Sequence, residues 1–343
     1  MKAIVMREFG GPEVLRYEDV PTPAPGAGEV LLRVRAVSVN RTLDLMVRQD
    51  GNRRGVELPL VLGVDPTGEV VEVGPQVEGV RVGDRVGARS SSPCGTCPTC
   101  RSGTGRGCPT PRMLGVHRWG GYAEYVAVPA PGLYHIPDGL PFPEATVIVR
   151  HFPVAYAQIR RAELAPGETC LVMGAAGGLG SALVQAAKHL GATVIAGAGA
   201  DDRVALARSL GADHGVNYRT QDLAAECRRL TDGRGVDVVF ENIGDPTLWP
   251  GAFESIAYQG RLITIGAHGG GIVPLDVRRL YFELITIIGG AHGEPQDVER
   301  SLREAAAGNI RPLIAAVLPL ERAREAHELV EAGETTGKIV LVP

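Results

Sequence analysis

Lysine is nearly missing from this chain: Lys2, Lys188 and Lys338 are the only ones among its 35 basic residues. The net charge is −4, and without concentrated positive charge a nucleic-acid surface is not expected. No run of about 20 apolar residues occurs, so no membrane span is expected either. The start, MKAIVMREFGG, alternates like a strand and then turns. It lacks the apolar stretch and cleavage site of a secretory leader, and the cytoplasm is the expected location. Repeats, low-complexity segments and charged linkers are also absent. The remaining composition, 44% hydrophobic and 22% charged residues, is ordinary for a globular chain. A length of 343 residues fits two domains better than one small core.

Six cysteines are present, and four crowd together: Cys94, Cys97, Cys100 and Cys108. A Cys-x-x-Cys step lets two thiolates reach one ion; two such steps and a fourth sulfur make the tetrahedral shell of a structural zinc. Disulfides between such close neighbours would be strained, and nothing suggests secretion. A redox Cys-x-x-Cys would leave two cysteines unexplained. One Zn²⁺ per chain is expected, with an iron–sulfur cluster as the second choice.

Two kinds of sequence follow one another. The first 140 or so residues are punctuated by Gly and Pro, with β-branched runs at Val30–Val39, Gly68–Val73, Arg85–Ala88 and Ala123–Val128. These predict a small antiparallel, barrel-like β domain. From Val149 the pattern alternates. Strands are predicted at Thr169–Met173, Thr193–Ala196, His214–Asn217, Val236–Phe240 and Arg261–Ile265. Helices are predicted at Ser181–Leu190, Asp201–Leu210 and Leu223–Leu230. Such alternation predicts a parallel sheet covered on both faces. The tail predicts helices near Val298–Ala307 and Glu321–Glu331 and a last strand, Lys338–Val342, that returns to the first domain. The boundaries expected are 1–148, completed by 288–343, and 149–287.

Between the first strand and helix of the alternating part lies Gly174-Ala-Ala176-Gly177-Gly178-Leu179-Gly180. Glycines there let the backbone approach a pyrophosphate, and the helix N–H groups hold its charge. The flanking strand and helix favour a dinucleotide site over a plain tight turn. Asn242 and Ile243 after the fourth strand, and Gly266 and Ala267 after the fifth, are expected beside the cofactor. The second strand ends in Gly199-Ala-Asp201-Asp202-Arg203. Both acids come late and suit helix N-caps; Gly199 leaves room for a phosphate, and Arg203 supplies a cation. NADP(H) is therefore expected over NAD(H).

Several strings carry a family resemblance: Gly-Pro-Glu-Val-Leu at 11–15, Leu58-Pro-Leu-Val-Leu62-Gly63-Val-Asp65, Val82-Gly-Asp-Arg-Val86 and Gly120-Gly-Tyr-Ala-Glu-Tyr125. Leu210-Gly-Ala-Asp213 and Gly337-Lys338 add to them. Over essentially its whole length the chain resembles the medium-chain dehydrogenase/reductase superfamily. The resemblance implies an α/β protein, with a GroES-like catalytic domain, a Rossmann domain and hydride transfer in the cleft between them. It also implies a homodimer or homotetramer built by pairing Rossmann sheets, for which Leu284–Gly290 is the edge candidate. Gly199, Arg203 and Tyr218 match the spacing of 2′-phosphate contacts in the NADPH-preferring quinone oxidoreductase branch, although Ala200 replaces the usual serine-like neighbour.

The cysteine lobe is similar to that of the family's zinc alcohol dehydrogenases, yet the three ligands of their catalytic zinc fall here on Asn40, Val64 and Val149 or Arg150. A catalytic zinc is not expected. Polar side chains must then support the chemistry. Asn40 and Thr42 lie on the segment that faces the cofactor in relatives, with Asp44 taking the family's aspartate place if one residue is inserted. Arg150 and His151 are the other candidates, as oxyanion stabiliser and proton donor, the plain alternative being a hinge pair. The remaining histidines are expected in turns or on the surface. The activity expected is NADPH-dependent reduction of a small carbonyl compound, the alternatives being quinone or enone reduction and a non-catalytic NADPH-binding protein.

Overall fold

The computed structural model describes residues 1–51, 55–102, 108–290, 292–333 and 335–343. The chain forms two compact units, 1–149 with 314–343, and 150–313.

The first unit is β-rich. A three-stranded sheet pairs β1 (Lys2–Met6) with β2 (Leu15–Asp19) on one side and β4 (Leu60–Val61) on the other. A larger sheet is built on the long β3 (Glu29–Ser38), flanked by β5 (Thr67–Val73) and by β9 (Tyr125–Pro129). Beyond β5 follow β6 (Arg85–Ala88) and β10 (Leu133–His135). Alternation decides what is buried. Val30, Leu32 and Val34 of β3 meet Val70, Val86, Val126 and Val128 in one apolar cluster, each such side chain contributing roughly 1.5–3 kcal/mol. The short pair β7 (Ser91–Ser92) and β8 (Arg112–Met113) frames the cysteine lobe. Two short helices interrupt the strands of this unit, α1 (Met46–Asp50) after β3 and α2 (Pro98–Arg101) between β7 and β8.

A 20-residue helix, α3 (Phe142–Arg161), carries the chain into the second unit. There the alternation gives β11 (Thr169–Met173), α4 (Gly178–Leu190), β12 (Thr193–Ala198), α5 (Asp201–Ser209), β13 (His214–Asn217), α6 (Leu223–Leu230) and β14 (Val236–Glu241). It continues with α7 (Trp249–Glu254), β15 (Ile256–Thr264), α8 (Val277–Phe282), β16 (Thr286–Gly289) and α9 (Pro295–Ala306). The strands lie parallel in the order β13-β12-β11-β14-β15-β16. This is the doubly wound order that reverses direction beside its first strand and binds ligands there. All five residues of β11 are buried, as a strand covered on both faces requires.

The tail then returns: β17 (Ile314–Pro319), α10 (Ala323–Ala332) and β18 (Lys338–Val342), with β18 antiparallel to β3.

The second unit thus runs to Leu313 rather than 287. Thr286–Gly289 is a sixth parallel strand, and α9 is tied to α3 by Arg160 and Asp297 at 3.0 Å. Asp201 and Asp202 do not cap α5. Ala200 is its N-cap, without a side-chain bond, and Asp201 instead accepts from Asn217 Nδ2 at 2.7 Å. His327, expected at the surface, is fully buried on α10.

Candidate functional site

The four cysteines form the metal-competent group found among the described residues, with all sulfurs within 4.8 Å of one another. Cys97 caps α2, and amides aim at sulfur: Cys97 N to Cys94 Sγ at 3.3 Å, Cys100 N to Cys97 Sγ at 3.4 Å and Cys94 N to Cys108 Sγ at 3.4 Å. Amide donors stabilise thiolates, the form that binds metal, and Cys94 is pushed down to about 5 by such bonds, that of Thr96 foremost. The Sγ separations of 3.8 Å for Cys94–Cys100 and Cys97–Cys108 and 3.4 Å for Cys97–Cys100 lie near the edge of about 3.8 Å that Zn–S bonds of about 2.3 Å give a tetrahedron. The donor set fits one closed zinc.

In the second unit, Gly174 adopts φ +63°, a left-handed turn that favours glycine. Gly177 is the N-cap of α4, and a Cβ on Gly180 would overlap the carbonyl oxygen of Gly174. Chain and helix therefore meet at backbone distance, and Gly178, Leu179 and Gly180 present the first N–H groups of a 13-residue helix. Ala176 is buried within the turn. Asn242 Nδ2 donates to Met173 O at 3.0 Å, and a Cβ on Gly174 would lie 3.6 Å from the Ile243 side chain. Gly266 and Ala267 pack against Asn242 and Gly244 so closely that a Cβ on Gly266 would strike backbone. The ends of β11, β14 and β15 thus converge on one glycine-lined corner, a shape that fits a pyrophosphate.

At the end of β12, Gly199 faces Tyr218: a Cβ at 199 would lie 3.1 Å from the Tyr218 ring and hydroxyl and 3.2 Å from Arg219 Nε. Burial raises the Tyr218 phenol, and the charges of Arg219 and Arg203 oppose that. Arg219 went unnoticed in the sequence because only the pairing of Asn217 with Ala198 brings it beside Gly199.

The first unit holds a buried polar cluster. Asp65 accepts from Ser38 N at 2.9 Å, Ser38 Oγ at 2.5 Å and Asn40 Nδ2 at 3.1 Å. Lys338 Nζ donates to Asn40 Oδ1 at 3.0 Å and to Val39 O. Both ends of the Asn40 amide are committed, which makes Asn40 a positioning residue. The segment Arg41–Leu45 is a π-helical turn, an irregularity frequent at functional sites. It leaves Thr42 exposed and buries Asp44. Asp44 accepts from Asn40 N at 2.8 Å and Gly63 N at 3.0 Å; burial, then the charge of Asp65, pushes it up to about 7. Thr42 and Asp44 thus share one turn, one exposed and one buried. Val64 is part of the apolar core.

Arg150 and His151 lie on α3, both half-buried. Among the described residues Arg150 Nε is buried without a hydrogen-bond partner, an unmet donor that suits an anion or oxyanion.

Residues 26–138 match the alcohol dehydrogenase GroES-like domain, and 178–307 the zinc-binding dehydrogenase family. The chain is 35% identical, over 347 aligned positions covering 99% of each protein, to an NAD-dependent alcohol dehydrogenase of Sulfolobus acidocaldarius. A solved NAD-dependent alcohol dehydrogenase is 38% identical with TM-score 0.91, all of both chains being covered. A mycobacterial quinone oxidoreductase gives 30% and 0.83, again over all of both chains. A GroES-like unit followed by a doubly wound nucleotide-type sheet defines an oxidoreductase of the dehydrogenase class. The chain belongs to the medium-chain dehydrogenase/reductase superfamily, among its alcohol dehydrogenase-like members.

Proposed function

We propose that this chain is an NADP(H)-dependent reductase of small carbonyl compounds, turning ketone or aldehyde into alcohol, with one structural zinc on Cys94, Cys97, Cys100 and Cys108 and no catalytic zinc. The observation that carries the cofactor choice is the end of β12, where Gly199 stands between Tyr218 and Arg219 and the nearby acid, Asp201, is bonded to Asn217. NAD sites offer a free carboxylate to the ribose hydroxyls; the presence of Arg219 Nε beside Gly199 supports the phosphorylated cofactor instead. Two of the relatives above are named NAD-dependent alcohol dehydrogenases, so this reading departs from their names for a local reason.

The nicotinamide supplies the hydride when the cofactor is bound. Gly174, Gly177, Gly178 and Gly180 hold the pyrophosphate, with Ala176 and Leu179 shaping the turn. Asn242, Ile243, Gly266 and Ala267 line its nicotinamide side, and Gly199, Arg203 and Tyr218 its adenosine side. Thr42 offers the exposed hydroxyl as proton donor, Asn40 positions its turn, and Arg150 with His151 stabilises negative charge developing on the substrate oxygen. The absence of a catalytic zinc rests on the engaged amide of Asn40 and the core position of Val64.

Rates with NADPH and NADH over a panel of ketones, aldehydes, quinones and enones, with zinc counted per chain, test this. Carbonyl turnover with NADPH at one zinc per chain is the expected result. Two tightly held zincs per chain, or a preference for NADH, would overturn it. The likeness to a quinone oxidoreductase favours a second reading, quinone or enone reduction, which the same panel separates. Tight NADPH binding without any turnover would point instead to a non-catalytic protein. Among the described residues no helix is long and apolar enough to cross a membrane, and we place the protein in the cytoplasm.

A further inference from the structure

We propose that Arg219 is the residue that selects the phosphorylated dinucleotide, its guanidinium holding a phosphate on the 2′ position of the adenosine ribose. The inference rests on the NADP(H) reading and names the cation that carries the discrimination.

Three observations place Arg219 there. Tyr218 N donates to Ala198 O at 3.1 Å, which brings residues 218 and 219 alongside the end of β12. A Cβ on Gly199 would crowd the Tyr218 ring at 3.1 Å and Arg219 Nε at 3.2 Å, so both side chains lie against the backbone at the end of β12. Asn217 ties the arrangement together: its Oδ1 accepts from Arg219 N at 3.1 Å, while its Nδ2 takes the Asp201 carboxylate at 2.7 Å. One side chain thus fixes the backbone of the cation and engages the neighbouring acid.

The other charges nearby do not compete. Among the described residues the Arg219 guanidinium has no carboxylate partner. Asp245, the acid whose charge also reaches Tyr218, accepts from Thr247 N, Thr247 Oγ1 and Leu248 N. Arg203 adds positive charge from the first turn of α5, but its effect on the Tyr218 hydroxyl ranks below that of Arg219. A guanidinium meets phosphate oxygens in a bidentate fork. A 2′-hydroxyl carries no charge to meet, so the loss of Arg219 should affect the phosphorylated ligand alone.

Calorimetric titration of the full chain with 2′,5′-ADP and with 5′-AMP tests this without turnover. Wild-type protein should bind 2′,5′-ADP the more tightly. Arg219→Ala should weaken 2′,5′-ADP roughly tenfold, equivalent to about 1.4 kcal/mol, with 5′-AMP within about twofold and the melting temperature unchanged. Arg219→Lys should keep part of the preference, and Arg203→Ala should cost less than Arg219→Ala. In kinetics, Arg219→Ala should raise KM for NADPH with little change in kcat. If wild-type protein prefers 2′,5′-ADP but Arg219→Ala keeps the preference, or Arg203→Ala removes more of it, the role of Arg219 is refuted while the NADP(H) reading stands. If wild-type protein prefers 5′-AMP, both fall.

Discussion

His327 and Asp44 are both buried in the first unit, and burial moves their proton affinities in opposite directions. The fully buried guanidinium of Arg48 donates to His327 Nδ1 at 3.2 Å. A guanidinium only donates, so Nδ1 accepts and Nε2 carries the hydrogen, which it offers to the Tyr122 hydroxyl at 3.1 Å. Burial, then the charge of Arg48, pushes His327 down to about 3. Between pH 3 and 6.5 the unfolded chain binds a proton that the folded histidine refuses, so this group removes stability as pH falls through that window. Asp44, raised to about 7, holds a proton that an unfolded aspartate carboxyl has released above about pH 4. It removes stability as pH rises from about 4 to 7. The two slopes oppose each other over pH 4–6.5. Urea unfolding across this range should show His327→Gln gaining stability relative to wild type as the solution is made acid, and Asp44→Asn losing it. Parallel curves for wild type and both variants would show that neither group titrates this way. Comparing variants with wild type cancels the many surface carboxylates.

The glycines of the phosphate turn are not equivalent, and that difference belongs to the element. A Cβ at Gly180 would overlap the carbonyl oxygen of Gly174, whereas one at Gly177 would sit 3.2 Å from it, at an ordinary φ of −79°. Gly180→Ala should cost about 3 kcal/mol and abolish dinucleotide binding; Gly177→Ala should cost less than about 1 kcal/mol. Denaturant midpoints and a fluorescence titration with NADPH read both, and equal costs would refute the close approach. Much at this scale was legible in the sequence. Thr169–Met173, His214–Asn217, Leu223–Leu230 and Lys338–Val342 are elements as expected, because breakers bound short runs of clear period. The unread parts depend on packing. The continuation of α3 through Pro153 is visible only in the structure. The π-helical turn, the burial of His327 and the place of Arg219 come from distant segments meeting. The cysteine lobe was legible from spacing alone, and its test is also local. Cys100→Ser should lose the zinc and lower the melting temperature, since metal binding contributes on the order of 10 kcal/mol coupled to folding. The kcat of the protein that stays folded should remain within about twofold. A loss of kcat beyond the loss of folded protein would assign the metal a part in the chemistry.

At the scale of the whole molecule, the second unit leaves an edge and an apolar patch to be accounted for. β16 is the last strand of its sheet, and beside it in sequence Val277, Phe282 and Leu284 are 60%, 63% and 53% exposed, with Tyr281 stacked on Phe282. An open edge invites pairing with another strand, and soluble monomers seldom leave large apolar patches bare. Natural edges are often protected by lysine; here none lies between Lys188 and Lys338, so β16 and the patch lack that guard. A twofold axis at such an edge pairs the strand with its own copy and covers the same patch twice, the isologous contact that closes a dimer. We therefore expect a homodimer, or a tetramer built from two, in light scattering at micromolar concentration. Phe282→Lys combined with Ile288→Lys should halve the mass, because each buried ammonium would face its own copy across the axis. The variant should still bind one 2′,5′-ADP per chain, since Gly199 follows β12 and Tyr218 and Arg219 follow β13, at the opposite edge of the six-stranded sheet. A wild-type monomer would refute the assembly, and a variant that keeps its mass would move the contact elsewhere on the chain.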